Sequence, residues 1–107
     1  MDYTDVLRRL ALYDERVTSE SLGGALDPKV LALVRLAALV TLGGSVPSYG
    51  AHADSAVEAG ATTAEIVDVL LGIIPVVGLP RVVAAAPQLA LALGHDVEDD
   101  FGTMPQG

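Results

Sequence analysis

The chain has no cysteine and no tryptophan, and its 107 residues include only one phenylalanine and three tyrosines. Without thiols it can form no disulfide and no thiolate metal site, and it can carry out no thiol redox chemistry. Aromatics at 4% leave little stacking surface, so leucine, valine and alanine must fill the interior by close helix packing. Basic residues are also scarce: six Lys and Arg stand against 14 Asp and Glu, for a net charge of −8. That balance argues against nucleic acid or an anionic membrane as a partner. The apolar run from Val30 to Leu42 is too short to cross a bilayer, which takes ~20 residues, and it contains Arg35. A later run from Val69 is broken by Pro75, Pro80 and Pro87. The opening residues Met1-Asp-Tyr-Thr-Asp5 are acidic where a secretion signal would be basic, so a soluble cytoplasmic protein is expected. One embedded histidine without cysteine gives no basis for a transition-metal site, and none is expected.

What is present is apolar. Hydrophobic residues make up 51% of the chain, more than a domain of this size readily buries alone, so self-association is expected. The sequence divides into one all-helical domain over 1–95 and an acidic tail over 96–107, expected to be mobile.

Helical spacing of Tyr3, Val6, Leu7, Leu10, Tyr13 and Val17 predicts a first helix over 4–17. Residues 18–25 read as a connector. Asp27-Pro28 opens the second helix, because Asp can cap free N–H groups and Pro loses nothing at the first helical position. This helix is apolar almost all round, which marks it as central or shared with an interface, and Gly43-Gly44 ends it. A third helix starts near Val46 or Pro47 with Ser45 as its cap and stops at Gly60. Thr62-Thr-Ala-Glu65 has capping-box spacing and opens a fourth, with Ile66, Val69, Leu70 and Ile73 as its buried stripe. Pro75 should kink or end that helix, and Gly78 should cap it. A last helix restarts at Pro80 and reaches about Leu93, with Pro87 bending or dividing it. Five to six helices and no strand result.

The ordered features Leu26-Asp-Pro-Lys29, the apolar helix, a Gly-bounded turn, His52 and Ala56-Val-Glu-Ala-Gly-Ala-Thr-Thr-Ala-Glu-Ile66 form a recognisable series. Together with Val69-Leu-Leu and Val77-Gly-Leu-Pro80 they resemble the carboxymuconolactone decarboxylase family, which includes the alkyl-hydroperoxidase-D-like proteins. The resemblance implies a compact all-α subunit, assembled as a homotrimer or homohexamer, with a pocket near the start of the His-bearing helix. In the peroxidase-like branch a Cys-x-x-Cys precedes the histidine, and those positions here are Ser45 and Ser48. Peroxidase chemistry is therefore not carried over, because a hydroxyl neither forms a disulfide nor ionises near neutral pH. Many relatives have His or Gln where this chain has Gly72, and Tyr where it has Val76. Only His52 carries over directly.

The candidate site is the stretch Gly43 to His52. An imidazole exchanges protons around neutral pH, as protonation of carbon after loss of CO2 requires. His52 is thus the candidate proton donor; the alternative is a helix histidine bonded to a backbone carbonyl or to Asp54. Arg35 and Arg81 read as isolated cations in apolar surroundings. One could anchor a substrate carboxylate and stabilise enolate charge, or both could pair with Asp54, Glu58 or Asp68, within or between subunits. The pairing role is favoured for Arg35, and the two roles are even for Arg81. Ser45, Ser48 and Tyr49 could donate to an anionic ligand, or serve as caps and packing. Ser48 shares a helix face with His52, but no nucleophile elbow or third member accompanies them. His95 beside Asp96 reads as a surface residue. Two functions follow. One is a cofactor-free lyase or decarboxylase acting on a small carboxylate or lactone; the other is a non-catalytic helical oligomer that binds a small ligand or a protein partner.

Overall fold

A computed structural model describes residues 2–19 and 24–94, so the His95 assignment and the acidic tail lie outside the described residues. The described residues form five α-helices and no strand: α1 (Tyr3–Ala11), α2 (Pro28–Leu42), α3 (Val46–Glu58), α4 (Thr63–Val77) and α5 (Leu79–Ala92). None is long and apolar enough to cross a membrane.

Local chemistry sets the helix starts. Asp27 accepts the Val30 N–H at 2.8 Å ahead of Pro28. Ser45 accepts the Ser48 N–H at 3.3 Å. Thr62 and Glu65 form the reciprocal box, with Glu65 N–H to Thr62 Oγ1 at 3.1 Å and Thr62 N–H to Glu65 Oε1 at 3.0 Å. Each contact satisfies a backbone donor that the helix cannot pair itself.

One expectation needs correction, and for two prolines one of the two expected outcomes is set aside. The first helix ends at Ala11, well short of residue 17. Tyr13 turns left-handed at φ 57°, its N–H bonds Leu10 O at 3.1 Å, and the Asp14 N–H bonds Arg9 O at 2.9 Å. That pair of bonds is a Schellman stop, with tyrosine where glycine is usual. Pro75 does not end α4, which continues to Val77, and Pro87 does not divide α5. The carbonyls that lose their partners belong to Leu71 and Val83, both on exposed stretches of helix where water can replace the missing donor.

α2 packs on α3, α4 and α5, and α5 likewise packs on α2, α3 and α4; of the all-round apolar α2 only Leu36 and Val40 are buried. The core joins Leu36 and Val40 to Tyr49, Ala53 and Ala56, to Ile66 and Leu70, and to Val82, Ala85 and Leu89. Arg81 lies against Gly43 at the start of α3, while Ala92 and Leu93 share a concavity with Val57 near its end. Thus α3 and α5 run in the same direction. Their contact is close because Ala53, Ala56 and Ala85 have no exposed surface at all. Val69 and Ile73 of the expected α4 stripe are half-buried beside the buried Ile66 and Leu70.

A larger side chain in this layer must separate the helices. Ala56→Leu is expected to lower unfolding stability by about 1–3 kcal/mol in urea titrations, whereas Ser55→Ala on the exposed face should change it by less than about 0.5 kcal/mol.

Candidate functional site

The candidate site begins where α2 stops. Gly43 closes the helix at φ 83°, with its N–H on Leu39 O at 2.8 Å. A Cβ there would stand 3.3 Å from Arg81 Nη1, so the missing side chain leaves a seat for the guanidinium. Gly44 is needed for room: a Cβ would come within 2.9 Å of Leu39 Cδ1 and 3.3 Å of the Tyr49 ring. The Gly44 N–H donates to the Tyr49 hydroxyl at 3.2 Å. Tyr49 is itself only 3% exposed, so its ring packs in the core while its hydroxyl holds the turn.

Ser45 and Ser48 form a pair one helical turn apart. Ser45 Oγ donates to Ser48 Oγ at 3.0 Å while accepting the Ser48 N–H. The two hydroxyls thus meet where the redox branch would have its two sulfurs. His52 follows one turn later, about 6 Å further along the axis. It is half-buried, and among the described residues it makes no hydrogen bond to Ser48, to Asp54 or to a backbone carbonyl. Asp54 instead lines an open concavity of about 480 Å³ with Glu58, Thr62 and Thr63, at the other end of α3.

Arg35 and Arg81 differ from expectation. Both are exposed, and neither forms an ion pair with Asp54, Glu58, Asp68 or any other described residue. A guanidinium at the helix surface keeps its hydration, so an apolar sequence neighbourhood does not force pairing. Arg81 sits at the C-terminal end of α2, where unpaired carbonyls favour a cation. The structure therefore brings Arg81 to Gly43, at the start of the turn into α3, and shows no contact between Arg35 and that turn.

Sequence reasoning missed two features. One is the seat at Gly43, since a glycine after a helix reads only as a stop. The other is the bond from Lys29 Nζ to Glu65 Oε2 at 2.8 Å, which ties the start of α2 to the capping box of α4. The Lys29 ammonium, followed by the Thr62 N–H, holds the Glu65 carboxyl below its ordinary 4.5. No three His, Asp or Glu side chains gather as a metal-ligand group among the described residues.

The geometry thus defines an all-helical subunit with a cationic, hydroxyl-lined turn at the start of a histidine-bearing helix. A family model, "Carboxymuconolactone decarboxylase family", matches residues 4–91, and the chain belongs to that family. No curated protein and no solved structure gives a significant match.

Because Glu65 has a depressed folded pKa, its stabilising contribution is complete above its ordinary 4.5 and is lost as pH falls through the folded value. Glutamine keeps the capping box but not the charge. Glu65→Gln is therefore expected to make stability less dependent on pH below about 4.5, measured as urea midpoints from pH 6 to pH 3.

Proposed function

We propose that this family member is a cofactor-free lyase acting on a small carboxylate or lactone, with His52 as proton donor and Arg81 as anion anchor. The observation that carries the reading is the place of Arg81. It is a cation with no carboxylate partner among the described residues, seated on Gly43, two residues before Ser45, whose hydroxyl bonds that of Ser48. The His52 imidazole, which makes no hydrogen bond among the described residues and stands one turn further along, supports the acid role.

In this reading the carbon–carboxylate bond breaks, CO2 leaves, and its electron pair is taken up by a conjugated carbonyl as an enolate. Arg81 stabilises that developing charge, with the Ser48 hydroxyl as a further donor, since Ser45 gives its one hydroxyl proton to Ser48. Imidazolium at His52 then protonates the carbon and recovers its proton from solvent. Tyr49 acts through the turn, which its hydroxyl holds in place. Arg35 has no part in this step.

Assembly into a trimer or hexamer belongs to the same proposal. Its support is the apolar surface that one subunit leaves open on the central and C-terminal helices: Val34, Leu71, Val76, Leu79 and Val83 are all exposed. The second reading, a non-catalytic oligomer, draws on Gly72. This residue lies in a wholly apolar concavity where many relatives have a polar side chain.

A screen of lactone carboxylates and β-keto acids distinguishes the two readings. Turnover with at least one substrate is expected, falling by 10²-fold or more in His52→Ala, with Arg81→Met raising KM and lowering kcat. Unchanged turnover in His52→Ala, with the oligomer intact, would remove His52 from the mechanism. No turnover with any member of the screen would favour the binding role.

A further inference from the structure

Tyr49 differs from the other two tyrosines of the chain. Tyr3 and Tyr13 are 55 and 83% exposed, so water serves their hydroxyls, whereas Tyr49 is only 3% exposed. A buried phenol normally finds an acceptor for its proton, because a donor taken out of water without one costs free energy. Among the described residues the Tyr49 hydroxyl makes one hydrogen bond, and in it the hydroxyl is the acceptor: the Gly44 N–H donates at 3.2 Å. Holding the turn uses the oxygen and leaves the proton without a partner.

The place of that proton is informative. The Tyr49 oxygen meets the backbone at Gly44, and Arg81 meets it at the neighbouring Gly43, where a Cβ would stand 3.3 Å from Nη1. Consecutive Cα atoms are about 3.8 Å apart. Two donors carried by two helices, α3 and α5, thus reach adjacent residues of one turn, and neither has an acceptor among the described residues. The acids of α3, Asp54 and Glu58, line the concavity at its far end. A group that satisfies both donors is an acceptor, and the charge of the guanidinium makes it an anion.

We infer that the Tyr49 O–H donates directly to the anionic oxygen held by Arg81, in a chain that runs from the Gly44 N–H through the phenol to the ligand. The inference rests on the proposed function and adds a recognition residue to its site, beyond the hold that Tyr49 has on the turn. One carboxylate, or the enolate left after loss of CO2, accepts from both groups. A hydroxyl that already accepts a hydrogen bond is polarised into a stronger donor, and burial keeps water from competing with it.

Fluorine on the ring separates donation from turn-holding, because it makes the phenol a stronger donor and its oxygen a weaker acceptor. Full-length chains with Tyr3→Phe and Tyr13→Phe keep Tyr49 as the sole tyrosine, so growth on 3-fluorotyrosine labels that position alone. Succinate affinity is measured by calorimetry at pH 6, where the phenol stays protonated. The sole-tyrosine chain, its fluorinated form and the same chain with Tyr49→Phe are compared. Fluorination is expected to tighten binding by about twofold or more, and Tyr49→Phe to weaken it about tenfold. A fluorinated chain that binds succinate no better, or more weakly, assigns the hydroxyl to the turn alone. That result overturns the donor role and leaves the anion site standing. Failure of the wild-type chain to bind succinate overturns both. The fluorinated chain keeps the ring of Tyr49 in the core, so its result decides the matter even where Tyr49→Phe fails to fold.

Discussion

The site depends on how α2 ends. Two glycines serve it for two different reasons, since a side chain at Gly43 would press on the tip of Arg81 and one at Gly44 on Leu39 and the Tyr49 ring. Gly43 supplies the left-handed φ that stops the helix and the bare backbone on which Arg81 rests. Gly44 lets Leu39 and the Tyr49 ring close over the turn, and its N–H is taken up by the Tyr49 hydroxyl. Once the chain has turned this sharply, Ser45 falls at the cap of α3, Ser48 meets it, and His52 follows one turn on. The candidate chemistry is thus a by-product of a helix stop and a helix start placed two residues apart.

The rest of the fold holds that turn in position. α3 and α5 run in the same direction and approach closely through Ala53, Ala56 and Ala85, which carries Arg81 to the turn from the far side of the sequence. α2 packs on α3, α4 and α5, and the Lys29–Glu65 bond fixes its start to the start of α4. Substituting hydroxyls for sulfurs changes what the turn can do. Ser45 donates its hydroxyl proton to Ser48 and accepts the Ser48 N–H, so of the pair Ser48 alone keeps a free hydroxyl donor. They cannot exchange electrons.

Much of the fold was legible because its signals are local. Asp27-Pro28, Ser45, Thr62–Glu65 and Gly78 mark helix ends through contacts within a few residues, and each marks the end it was expected to mark. The length of α1 was misread: Tyr13 continues an apolar period but adopts a left-handed stop, where a backbone bond to Arg9 O outweighs the pattern of side chains. Of the two outcomes expected at each proline, Pro75 does not end α4 and Pro87 does not divide α5; both lie on exposed helix faces, where lost backbone bonds cost less. At the site, the spacing of Ser45, Ser48 and His52 could be read directly, since all three lie in or next to one helix. The position of Arg81 could not, because it depends on the direction of α5 relative to α3. The exposed place of Arg35 on α2 was likewise not legible, because the apolarity of its neighbours in sequence says nothing of which face it occupies.

The account stands on a preformed anion site at the α2–α3 turn, and NMR titration with succinate as a small dicarboxylate probe tests it most directly. It predicts saturable shifts of the Gly43, Gly44 and Ser45 amides and of the His52 ring protons along a single binding curve, abolished by Arg81→Met. Shifts confined to the Asp54–Glu58 concavity, or unchanged by Arg81→Met, would contradict it.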